Sequence, residues 1–191
     1  MSERAKIGLV GCGAIGSEIA RAVCAGEVNA QLAGIWDIDA AAAQKLAKTL
    51  EPSPPVIQPE RMTQQCGLIV EAAGVGAVAP LVELCSKRGV NLMTMSVGGL
   101  EQEHFDMFQA SEANLYVPSG AVCGLDGIQA YAGREIDSIT LTTHKPPAGL
   151  KGAKYLDDHG IDLDAIDGPT TVFEGPPAEA IRHFPKNVNV S

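Results

Sequence analysis

The chain has 191 residues, 46% of them hydrophobic and 19% charged, the balance of a globular protein that can bury a sizeable core. Lys and Arg number 14 against 23 Asp and Glu, and the resulting net charge of −9 argues against nucleic-acid partners; no apolar run is long enough for a membrane span. Five scattered cysteines without a C-x-x-C pair read as reduced core fillers, which points to the cytoplasm.

The first four residues lead directly into an apolar strand at Lys6–Val10, so no targeting segment is expected. The strand feeds Gly11, Gly13 and Gly16, and a helical pattern with Ile15, Ile19 and Val23 follows at once. This is the G-x-G-x-x-G order of a dinucleotide-binding turn: Gly11 for the tight turn, Gly13 for close approach of a pyrophosphate, Gly16 for helix–strand packing. The amides of Ala14, Ile15 and Gly16 would face the phosphates, where the helix dipole also favours negative charge. A second strand, Gln31–Trp36, ends in Asp37, 37 − 16 = 21 residues after the last glycine. The carboxylate that takes the adenosine ribose hydroxyls is expected about 20 residues on. No Arg or Lys follows Asp37 before Lys45 to neutralise a 2′-phosphate, so NAD is expected in preference to NADP.

Strand and helix continue to alternate, as a doubly wound parallel sheet requires. A helix over Ala40–Leu50 precedes a proline-rich connection that holds Val56–Ile57 as a short strand candidate. Gly67–Ala72 reads as a continuous apolar strand, buried on both faces. A helix beginning around Pro80 carries the stripe Val78, Leu81, Val82 and Cys85; strand Asn91–Ser96, helix Glu101–Ala113 with Phe105 and Phe108 inward, and strand Leu115–Val117 follow. Residues 1–118 are thus predicted to be an α/β Rossmann domain.

After Ser119-Gly120 the pattern changes. A helix over Gly124–Gly133 precedes Ile136–Thr143, whose apolar–polar alternation predicts a strand with one wet face. An acidic, solvated stretch over Leu156–Asp167, a strand at Thr170–Phe173 and a helix at Ala178–His183 complete a second region. Residues 119–191 are read as a partial α+β catalytic and dimerisation domain, since two strands make a poor sheet.

Three segments, SGAVCGLDGI (119–128), LTTHKPP (141–147) and VFEGPPAEAIRHFPKNVNV (172–190), resemble the L-aspartate dehydrogenases. The resemblance runs from Lys6 to Val190. It implies NAD(P)-dependent oxidation of L-aspartate to iminoaspartate, a place in NAD biosynthesis, a relation in fold to homoserine dehydrogenase, and a homodimer. By position it carries over Ala121 and Asn187 as cofactor contacts, although Asn187 also suits a helix N-cap. Lys186 and Lys145 match positions that would hold the substrate carboxylates. His144 stands where the family usually has Arg, which loses a bidentate guanidinium. The family's catalytic histidine has no counterpart up to Ser191, so the catalytic base is not assigned and the chain is expected to be shortened at its C-terminus.

The remaining candidates are weaker. Asp126 could meet a substrate ammonium or simply serve its helix terminus. The Asp157, Asp158, Asp162, Asp164 and Asp167 cluster lacks the glycine and terminal Glu of a calcium loop, so no metal is expected. Cys123 reads as filler, and His104 and His183 as surface or core-edge residues. A homoserine-dehydrogenase-like oxidoreductase of another small substrate, or an inactive NAD-binding protein, are the alternatives to aspartate oxidation.

Overall fold

A computed structural model describes residues 4–119, 124–131, 133 and 135–184. The chain divides into two units, Met1–Pro118 and Ser119–Ser191.

In the first unit β1 (Ala5–Val10), α1 (Ala14–Cys24), β2 (Ala30–Trp36), α2 (Ala40–Thr49), α3 (Pro59–Met62), β3 (Leu68–Glu71), α4 (Val78–Arg88), β4 (Asn91–Thr94), α5 (Gln102–Gln109) and β5 (Leu115–Tyr116) follow in order. The strands form one parallel sheet in the order β2-β1-β3-β4-β5. Its order reverses between β1 and β3, which marks the crevice where such sheets take ligands. Each strand is short, and successive side chains serve opposite faces. Leu9 and Val70 pack with Ile35, Ala20, Val23 and Leu46 under α1 and α2. Val10 and Ile69 pack with Val78, Leu81, Val82, Leu92 and Phe108 under α4 and α5. Leu9, Ile35, Ile69 and Leu92 are wholly buried, each stabilising the sheet by about 1.5–3 kcal/mol.

Local chemistry fixes several boundaries. The Asp39 carboxylate accepts from the N–H groups of Ala41 (2.9 Å) and Ala42 (3.3 Å), capping α2. Helix α4 starts at Val78, two residues before Pro80, because a short 3-10 turn over Val75–Ala77 feeds it. Its predicted stripe of Val78, Leu81, Val82 and Cys85 is buried. Val56 makes a single parallel bridge to Ile35, not a strand.

Helix α5 corrects three expectations. It ends at Gln109, short of Ala113, and Phe105 lies 44% exposed while Phe108 is buried. The inward position beside Phe108 goes to His104, expected at the surface or core edge but only 5% exposed. Its Nδ1 accepts from the Glu101 N–H at 3.0 Å, so the ring closes the helix start and is buried with a partner.

In the second unit, α6 (Leu125–Tyr131), α7 (Lys154–Asp158) and α8 (Pro177–His183) are the α-helices among the described residues. Ala153, Leu156 and Phe184 form a small core. Tyr155 stacks on His159 with ring centroids 3.8 Å apart and meets Phe173 edge-on. The acidic stretch from Leu156 to Asp167 therefore begins inside α7 with Leu156 buried, while its five aspartates are exposed as expected of a solvated stretch. The strands predicted at Ile136–Thr143 and Thr170–Phe173 are not formed among the described residues. Alternation shows which face a sheet would bury, but a strand exists only through ladder bonds to a neighbour. Ile139 and Leu141, on the expected buried face, are 64% and 57% exposed. No helix among the described residues is long and apolar enough to cross a membrane.

Candidate functional site

The site grows from the end of β1. Gly11 turns the chain with φ 102°, and its N–H donates to the Trp36 carbonyl at 2.8 Å. Any Cβ there would run into the Ala72 carbonyl, so the loop after β1 lies directly on the chain leaving β3. Gly16, in the first turn of α1, faces the Gly11 carbonyl with no room for a methyl group. Gly11 makes the tight turn and Gly16 seats helix on strand, the roles read from their spacing.

Gly13 differs from them. A Cβ at Gly13 would meet nothing within 4 Å, and the residue is exposed together with Ala14 and Ile15. It opens onto a groove of about 480 Å³ whose wall includes Met95 from the chain after β4. The groove continues along the outer face of α1 past Glu18 and Arg21, so only its inner end lies at the strand tips. No side chain caps α1, and its leading amides have no helical acceptor before them. Such a helix start can take an anion.

Asp37, at the tip of β2, is held from both sides. Its Oδ2 accepts from the Cys12 N–H at 2.7 Å and its Oδ1 from the Asp39 N–H at 2.9 Å. Each carboxylate oxygen keeps a further lone pair for an incoming hydroxyl. The Cys12 thiol beside it is pushed up to about 11 by burial, with the Asp37 charge adding to the effect. It stays protonated and is no nucleophile. The glycine loop and Asp37 are thus brought together at one end of the sheet.

Other candidates stand elsewhere. Lys145 is half-buried in the second unit, in a stretch without regular structure. Asp126 sits in the first turn of α6. Ala121, Cys123, Lys186 and Asn187 lie outside the described residues.

One residue at these strand tips escaped the sequence reading. Glu71 closes β3 and is completely buried. Its Oε1 accepts from the N–H groups of Ala73 (2.7 Å) and Gly74 (2.9 Å) and from Ser96 Oγ (2.8 Å). Its Oε2 accepts from Thr94 Oγ1 (2.6 Å) and the Ser96 N–H (3.0 Å). The available signal was a lone carboxylate closing an apolar strand, with Thr and Ser at the end of the next.

Comparison with known proteins bears on both units. Residues 11–118 match the family "Homoserine dehydrogenase, NAD binding domain", and residues 126–191 match "Aspartate dehydrogenase, C-terminal". The L-aspartate dehydrogenase of Methanosarcina acetivorans is 42% identical over 192 residues, covering 97% of this chain and 71% of the relative. The chain belongs to the L-aspartate dehydrogenase family. Two solved structures agree in fold. Aspartate dehydrogenase from Thermotoga maritima has a TM-score of 0.61 at 24% identity, over 97% of this chain and 70% of its own. The myo-inositol dehydrogenase of Lactobacillus casei, solved with NAD(H) and myo-inositol, has a TM-score of 0.55 at 14% identity, over 76% and 50% of the two chains. Family membership accords with a Rossmann unit whose ligand end carries the glycine loop and Asp37.

Proposed function

We propose that this chain binds NAD at the tips of β1 and β2 and serves the NAD-dependent dehydrogenation of L-aspartate to iminoaspartate. The observation that carries the cofactor reading is the Asp37–Cys12 hydrogen bond beside an uncapped helix start. A diphosphate would take the amides of Ala14, Ile15 and Gly16 above the open face of Gly13, and Asp37 would take the adenosine ribose hydroxyls. Asp37 disfavours NADP, because a 2′-phosphate would meet its carboxylate and no Arg or Lys follows in the sequence before Lys45.

Held by Asp37 and the leading amides of α1, NAD⁺ would supply the acceptor for the hydride of the substrate Cα, leaving a C=N double bond, with the proton of the amine nitrogen passing to water. This chain's residues bind and orient. Lys145 and Lys186 are the cations proposed for the two substrate carboxylates, and Ala121 and Asn187 are proposed against the nicotinamide end. Residues 1–118 would form the dinucleotide-binding domain and 119–191 the catalytic and dimerisation part. We place the protein in the cytoplasm as a homodimer, its product feeding NAD biosynthesis. These assignments rest on family membership and on motif positions.

The test is a titration of the chain with NADH, followed by a panel of amino and hydroxy acids assayed for NADH formation. Saturable NADH binding with turnover confined to L-aspartate is expected. Absence of binding would remove the reading, and turnover of a hydroxy acid in place of aspartate would move the substrate.

A further inference from the structure

Glu71 is not needed to bind an adenosine ribose or a diphosphate, yet it organises the ground beside them. A wholly buried carboxylate is a poor way to gain stability, because an apolar side chain of similar size avoids the desolvation cost. Five donors converge on it from two different segments, the turn leaving β3 and the chain leaving β4. Its backbone carbonyl adds a sixth hydrogen bond, accepting from the Met95 N–H at 2.9 Å.

The strand order gives these two segments a common address. A dinucleotide that sets its adenosine ribose on Asp37 at β2 and its diphosphate on α1 after β1 must run on across the tips of β3 and β4. The Gly11 loop already rests against Ala72, and Met95 walls the groove that opens at Gly13. What Glu71 fixes is therefore the surface under the far half of the ligand.

We propose that Glu71 is a positioning residue that sets the nicotinamide half of the dinucleotide site, acting through Ala73, Gly74 and Ser96. The proposal rests on the NAD reading given above. Gln keeps the size of the side chain but trades one acceptor oxygen for an NH2 donor, so at least one of the N–H groups now bound to a carboxylate oxygen loses its acceptor. The turn leaving β3 and the chain leaving β4 then part, while the Gly11–Gly16 loop and Asp37 keep their own bonds.

The experiment compares NADH with ADP-ribose, which has the adenosine, both phosphates and both riboses but no nicotinamide. Dissociation constants for both are measured by calorimetry on the whole chain, wild type and Glu71→Gln. The variant is expected to bind NADH about tenfold more weakly and ADP-ribose within about twofold of wild type, the size expected for one lost charge-assisted hydrogen bond. Equal weakening of both ligands, or no change in either, overturns the proposal. Failure of the wild type to bind either ligand instead sinks the NAD reading, and the proposal with it. If Glu71→Gln does not fold, Ser96→Ala removes one donor and leaves the carboxylate in place. It is expected to weaken NADH about threefold without moving ADP-ribose, and equal effects on the two overturn the proposal there as well.

Discussion

The Asp37 carboxylate accepts from the backbone N–H of Cys12 at 2.7 Å, so the tip of β2 and the glycine loop after β1 are joined by one bond across 25 residues. Removing the side chain acts twice, since it deletes the proposed ribose acceptor and leaves the Cys12 amide without its partner. Asp37→Ala is therefore expected to weaken NADH binding about tenfold or more, the cost of a charge-assisted hydrogen bond. It should also narrow the preference for NADH over NADPH, because the repulsion of the 2′-phosphate goes with the carboxylate. Titrating both cofactors checks both effects, and unchanged affinity would refute the role of Asp37.

Two glycines three residues apart are expected to fail in opposite ways. Alanine in a helix gains about 1 kcal/mol over glycine, but at Gly16 its methyl group meets the Gly11 carbonyl. Overpacking of that kind costs about 1–3 kcal/mol, so Gly16→Ala should lower Tm or, at best, leave it unchanged. At Gly13 the space is open, and Gly13→Ala should fold normally while its methyl group occupies the ground proposed for the diphosphate. Thermal melts paired with NADH titrations separate the two, and a Gly13→Ala variant with wild-type affinity would place the diphosphate elsewhere.

Lys145 tests the substrate side of the proposal. It is half-buried, so Lys145→Gln keeps most of the stem while removing the charge. If the ammonium holds an aspartate carboxylate, KM for aspartate should rise about tenfold with NADH affinity unchanged. An unaltered KM would remove Lys145 from the substrate site.

What the sequence displayed was whatever depends on local geometry. The glycine spacing was legible because a tight turn and close helix–strand packing each demand glycine at one position, and Asp37 was placed at the end of its strand by the same local count. The stripe of α4 was legible because helical periodicity alone decides it. Glu71 was hidden inside an apolar run, since its meaning depends on Thr94 and Ser96, which lie 23 and 25 residues on. His104 was misplaced for a similar reason: its burial follows from the Glu101 amide, and periodicity does not register a polar partner. The alternation at Ile136–Thr143 recorded a face that a sheet would accept, yet pairing is a property of two segments and cannot be read from one.

Buried thiols give the fold an alkaline weakness whose sign is fixed. Burial raises Cys12 from 9.0 to about 11, and burial aided by the nearby Cys66 raises Cys85 from 9.0 to about 12. The unfolded chain therefore loses these protons first as pH rises. Between 9 and about 11 for Cys12, and about 12 for Cys85, the folded state holds more protons than the unfolded one. Stability then falls with each step in pH, and below 9 these thiols contribute no slope. Cys85 is fully buried on the inner face of α4, so Cys85→Ala costs stability at every pH through the small cavity it leaves. The same variant removes one titrating thiol, and its stability should fall less steeply than that of the wild type above pH 9. Urea melts at several alkaline pH values read that slope directly; equal slopes for variant and wild type would show that the Cys85 thiol ionises as readily in the core as in water.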